Sequence, residues 1–79
     1  MSNKHLLKRS IEIAGHQTSI TLEPEFWTAL KRIAAAEGVS LPQLVARLDR
    51  ERADAPAGRS LSSQLRVYVL QESNKASAK

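Results

Sequence analysis

The chain has 79 residues and no cysteine, and its 12 Lys and Arg outnumber 8 Asp and Glu for a net charge of +4. A domain this short buries only about 60% of its unfolded surface, and without cysteine it has neither disulfides nor thiolate metal sites to supplement a small core, which leaves oligomerisation. The basic balance, with a pI near 10.0, suits an acidic partner such as nucleic acid or an anionic surface.

No run is apolar enough to span a bilayer, so no membrane association is expected. The start MSNKHLLKRS is basic but lacks the continuous apolar segment of a signal peptide, so a cytoplasmic location is expected. One domain is predicted over residues 8–72. The ends, residues 1–7 (MSNKHLL) and 73–79 (SNKASAK), carry little periodic hydrophobicity and are predicted to be flexible tails.

Residues 10–14 (SIEIA) and 17–22 (QTSITL) alternate polar and apolar side chains and are rich in Ile and Thr, which suits half-buried strands. Gly15 and His16 lie between them, and Gly in first place fits a type II′ hairpin turn. From Pro24 the period becomes helical, with Phe26, Leu30, Ile33 and Ala34 on one stripe and Gly38 as a terminating glycine. Ser40 and Gln43 have the spacing of a capping box, and Leu41, Leu44, Val45 and Leu48 form the apolar face of a second helix reaching about Arg52.

The stretch ADAPAG at 53–58 reads as a linker. Ser60 then caps a third segment with Leu61, Leu65, Tyr68 and Val69 at helical spacing. Val67 to Val69 also tolerate a strand, and helix is the preferred reading.

The string TSITLEPEFWTALKRIAAAEGVS joins a Thr/Ser strand, an acidic-Pro-acidic helix start and a Gly-x-Ser break into a second helix. It resembles the ribbon-helix-helix repressors of the MetJ/Arc type over roughly residues 17–52. With KRSIEIAGHQTSITLEPEFW and GRSLSSQLRVYVL included, the chain looks like a bacterial branch with an extra N-terminal strand and a third, C-terminal helix. The resemblance implies a mostly α fold with a short β-ribbon, as an intertwined homodimer in which one strand from each chain pairs antiparallel and the ribbon enters the DNA major groove.

Carried onto this chain, the resemblance turns Gln17, Ser19 and Thr21 toward DNA bases and Thr18, Ile20 and Leu22 toward the helices. Gln suits adenine and hydroxyls suit base edges, although any half-buried strand shows the same alternation. The implied dimer core comprises Ile20, Leu22, Phe26, Trp27, Leu30, Ile33, Leu44, Val45 and Leu48. Phosphate contacts are expected from Lys8 and Arg9, as a basic arm, and from backbone N–H groups near Val39, Ser40 and Leu41 at the second helix start.

Two features depart from the simple pattern. A hairpin in each chain would make four strands per dimer, and a turn at Gly15 and His16 sets Glu12 opposite Ser19, where its carboxylate repels phosphates. The segment GRSLSSQLR also matches the family's second-helix opening; in that register the phosphate site moves to Arg59, Ser60 and Leu61, with Arg66 nearby, and residues 40–52 are an inserted helix. Connection length favours the Ser40 register.

His5 and His16 fall in a tail and a turn, so no metal site is expected, and no cofactor. No nucleophile elbow, phosphate-binding loop or His with a placed carboxylate supports catalysis, so a non-enzyme is predicted. The expected partners are double-stranded DNA and a second copy of the chain, or a higher oligomer on DNA. The alternative is a protein-interaction module, such as an antitoxin or adaptor, with a protein partner.

Overall fold

The computed structural model describes residues 6–54 and 58–77. Residues 1–5 of the expected N-terminal tail, 55–57 within the linker and the final two residues, 78–79, lie outside the described residues. Two strands, β1 (Leu7–Ile13) and β2 (His16–Leu22), precede three helices, α1 (Pro24–Glu37), α2 (Leu41–Ala53) and α3 (Leu61–Ser77). The elements thus run from Leu7 to Ser77, wider than the expected 8–72, and the third segment is helical through Val67 to Val69.

The strands pair antiparallel in one two-stranded sheet. Its turn is Ala14 and Gly15, with φ of 51° and 85°, and two successive positive φ angles mark a type I′ turn, whose twist matches the strands it joins. The turn therefore begins one residue earlier than the Gly15 and His16 placement, and Glu12 lies opposite Gln17, not Ser19. Within the single chain β2 already has one antiparallel partner, β1.

Side chains alternate across this ribbon. Ile11, Ile13, Ile20 and Leu22 are buried against the helices, whereas Lys8, Ser10, Glu12, Gln17 and Ser19 are exposed on the other face.

Pro24 opens α1, where its missing N–H costs nothing, and Gly38 at φ 77° ends it. The N–H groups of Gly38 and Val39 donate to the carbonyls of Ala35 and Ala34 at 3.1 and 3.0 Å, closing the last turn as a Schellman motif. The buried stripe of α1 is Trp27, Ala29, Leu30 and Ala34, with Phe26 and Ile33 half-buried at its rim. Of the expected stripe, Leu30 and Ala34 are thus buried and Phe26 and Ile33 flank them, while Trp27 and Ala29 complete the buried side.

Leu44, Val45 and Leu48 of α2 and Leu65 of α3 are fully buried and meet the sheet and α1 in one cluster. Each such Leu contributes about 1.5–3 kcal/mol relative to exposure. No polar or charged side chain is buried among the described residues.

Two polar junctions tie the helices at the surface. Arg47 of α2 donates to both carboxylate oxygens of Glu37 on α1, at 2.8 and 3.3 Å, and to the Tyr68 hydroxyl of α3, which itself donates to Glu37 at 2.7 Å. Arg66 of α3 donates to Glu23 at 3.0 Å and lies 5.8 Å from the Phe26 ring centre.

Candidate nucleic-acid interface

The face of the ribbon turned away from the helices carries only polar side chains. Across it Lys8 lies opposite Thr21, Ser10 opposite Ser19, and Glu12 opposite Gln17. Gln17, Ser19 and Thr21 thus stand in one row on β2 as expected; Gln17 and Ser19 are exposed and Thr21 is half-buried. Ser10 joins the same face. Its place follows from the period of two once Glu12 is set outward, but the early turn is what brings it beside Ser19.

Lys8 and Arg9 lie on opposite faces of β1. Lys8 shares the face of Gln17, Ser19 and Thr21, whereas Arg9 lies on the helix side, its guanidinium 5.6 Å from the centre of the Trp27 ring. Trp27 is 2% exposed, and its indole N–H donates to the Leu7 carbonyl at 3.0 Å. Of the other expected dimer-core residues, Ile20, Leu22, Leu30, Leu44, Val45 and Leu48 are buried within the single chain.

The start of α2 spends most of its N–H groups internally. Val39 N–H donates to Ala34, Ser40 N–H to Gln43 Oε1 at 2.8 Å, and Gln43 N–H to Ser40 Oγ at 3.2 Å. Pro42 has none to offer. Of the Val39, Ser40 and Leu41 set, only the Leu41 N–H lacks a protein acceptor among the described residues.

The start of α3 is arranged differently. Ser60 Oγ accepts from Ser63 N–H at 3.1 Å, and Ser62 Oγ donates to the Thr21 carbonyl at 3.2 Å, fastening this helix start to the end of β2. Nothing in the pattern of the sequence singled out Ser62, because its partner is 41 residues away.

Charge is distributed unevenly. Arg47, Arg52, Arg66 and Lys75 are in ion pairs, the pairs of Arg47 with Glu51 and of Arg52 with Asp49 having the helical spacing of the mixed-sign RLDRER segment. Lys8, Arg9, Lys31, Arg32, Arg50 and Arg59 have no carboxylate partner among the described residues.

A backbone hydrogen bond and the Arg66 guanidinium hold the Glu23 carboxyl below its ordinary range. Hydrogen bonds from Arg47 and Tyr68 do the same for Glu37. Desolvation and the bond to Glu37 push the Tyr68 hydroxyl up to about 12. His16 is exposed at the hairpin end and His5 lies outside the described residues; among those described, no three His, Cys, Asp or Glu side chains are grouped to hold a metal. No described helix is long and apolar enough to cross a membrane.

A family model described as a ribbon-helix-helix domain matches residues 6–73. The chain belongs to the ribbon-helix-helix domain family. The match takes in the β1 and β2 hairpin, α1, α2 and most of α3. A solved structure of an uncharacterized protein from Bordetella pertussis Tohama I is similar to this ribbon-helix-helix chain at 33% identity, with a TM-score of 0.75 over 94% of the chain. The match spans 61% of that protein's chain. No curated protein matches it.

Proposed function

We propose that this ribbon-helix-helix chain is a DNA-binding transcriptional regulator of the cytoplasm, a repressor by occupancy, that lays the outer face of its hairpin in the major groove. The observation that carries this reading is the all-polar row of Lys8, Ser10, Glu12, Gln17, Ser19 and Thr21 on one face of a two-stranded ribbon whose other face packs Ile11, Ile13, Ile20 and Leu22 against the helices. A major groove about 12 Å wide admits a two-stranded ribbon.

In this reading Gln17, Ser19 and Thr21 meet base edges, the amide suited to adenine and the hydroxyls able to donate or accept. Glu12 beside Gln17 disfavours phosphate and accepts best from a cytosine amino group. Lys8 supplies a phosphate contact from the same face. The start of α3, with Arg59, Ser60 and Leu61, suits a second phosphate contact better than Val39, Ser40 and Leu41, because the α2 N–H groups are largely engaged. Two copies of the chain act together on a short repeat, and no catalytic role is assigned.

A second reading, a protein-interaction module such as an antitoxin or adaptor, is favoured by the apolar groove between α1 and α3 lined by Phe26, Val67 and Leu70, the last 60% exposed.

Electrophoretic shift against genomic fragments at two salt concentrations separates them. The regulator reading expects salt-sensitive binding with sequence preference, lost in the triple variant Gln17→Ala, Ser19→Ala and Thr21→Ala while its circular dichroism is unchanged. Preference retained by that variant sinks the ribbon assignment. A stoichiometric protein partner without DNA binding at low salt supports the module.

A further inference from the structure

The turn end of the polar face carries two acceptors side by side. Ile13 and His16 close a two-residue turn and so form a hydrogen-bonded couple. The next couple, Glu12 and Gln17, is then a non-hydrogen-bonded one, with Cα atoms about 4.5 Å apart and side chains at their closest. Both residues are exposed. Glu12 has no ion pair among the described residues. The other charge of this face, Lys8, stands four residues along the strand, about 13 Å away at a rise of about 3.3 Å per residue.

An unpaired carboxylate on a surface that meets a polyanion needs a donor from the groove floor, because it can only accept. In the major groove guanine shows two acceptors, thymine an acceptor and a methyl group, and adenine an acceptor beside its amine. Cytosine shows its N4 amine alone, so cytosine suits Glu12. Adenine suits Gln17, whose amide donates to N7 and accepts from the N6 amine. The two bases belong to different base pairs, and neighbouring pairs about 3.4 Å apart match the spacing of the two side chains. Each contact depends on one exocyclic amine and on the hydrogen that base pairing leaves over.

We propose that Glu12 and Gln17 together read unmodified exocyclic amines on an adjacent cytosine and adenine, so that N-methylation of those bases releases the chain from its site. In a duplex the other amine hydrogen is held in the Watson–Crick bond, so a single N4 or N6 methyl group replaces the groove-facing one. The donor is lost, and a methyl group stands against a carboxylate or amide oxygen left without a partner. A methyl group on C5 of cytosine leaves the N4 donor in place. This inference rests on the proposed DNA reading and adds a regulation to it, with occupancy set by the methylation state of the site. The Glu12 charge also repels phosphate, so it disfavours unrelated DNA while it selects the site.

Electrophoretic shift of the full chain on the tightest-binding genomic fragment, trimmed to its site, tests this. The duplex is made unmodified and with N4-methylcytosine, N6-methyladenine or 5-methylcytosine placed at one base at a time. At one adjacent cytosine and adenine, each N-methyl group is expected to weaken binding at least tenfold, about 1.4 kcal/mol, and 5-methylcytosine to leave it nearly unchanged. Glu12→Ala should lose the response to N4-methylcytosine and keep that to N6-methyladenine, and Gln17→Ala the reverse. Both side chains are exposed, so the circular dichroism is retained. Glu12→Ala should also bind unrelated DNA more tightly than the parent chain.

Sequence-preferring binding that no N-methyl group weakens overturns the inference and leaves the regulator reading standing. So does a loss on N-methylation that neither variant changes, which would give the amines to other side chains. A loss on 5-methylcytosine equal to that on N4-methylcytosine also overturns it, since bulk in the groove and not the amine would then be read. A chain that shifts no fragment at low salt removes the regulator reading itself, and this inference with it.

Discussion

The indole N–H of Trp27 donates to the Leu7 carbonyl across 3.0 Å, so the first turn of α1 is fastened to the first residue of β1. Arg9, two residues along the strand, covers the same ring. Together these contacts hold β1 against the helices at the end of the ribbon far from its turn.

Trp27→Phe keeps an aromatic ring but removes the indole donor to the Leu7 carbonyl and leaves a gap beside it. The expected cost is about 1–3 kcal/mol. In a domain of this size each kcal/mol lowers Tm by about 4–8 °C, read by circular dichroism because the substitution removes the chain's single Trp. An unchanged Tm would show that the indole bond does not hold the strand.

Ala14 carries a φ of 51°, the left-handed region that a Cβ disfavours. Asn tolerates this region and precedes Gly in favoured type I′ turns, so Ala14→Asn is expected to stabilise the chain by about 0.5–1 kcal/mol. Urea denaturation measures it through a higher midpoint at constant m-value. Destabilisation would argue for a turn at Gly15 and His16 instead.

Tyr68 is the chain's only tyrosine, so ultraviolet absorbance of the phenolate follows it alone. It is expected to ionise near 12, above the ordinary 10.0. Because folding raises this value, the associated stability is fully present below pH 10 and lost as pH climbs toward 12. Glu37 has the opposite sign: its carboxyl is lowered below 4.5, so its contribution is present above that pH and lost on acidification through the lower folded value. Glu37→Gln removes a charged acceptor and should bring the Tyr68 titration down.

Ser40→Ala breaks the capping box of α2 and is expected to cost about 1 kcal/mol of stability. In the proposed reading it leaves the salt dependence of DNA binding unchanged. Arg59→Ala should instead leave stability nearly intact and reduce the salt slope by about one contact. A slope altered by Ser40→Ala and not by Arg59→Ala, measured by shift assays across a salt series, would return the phosphate site to α2.

Much of this protein was determined by its sequence alone. The period of two over 17–22 set Gln17, Ser19 and Thr21 on one face and Ile20 and Leu22 on the other, and Pro24, Gly38 and the Ser40 and Gln43 spacing bounded the helices, because each depends on bonds within a few residues. Tertiary packing decided the rest. The strand register brings Leu7 opposite Leu22 with its carbonyl under Trp27, although this places Ala14 in a conformation its side chain resists. Arg9 is directed to Trp27 and away from the polar face, and Ser62 fastens α3 to Thr21. These contacts join residues 15 to 41 apart in the chain, where periodicity and local propensity carry no information and only the shape of the assembled core selects the partner.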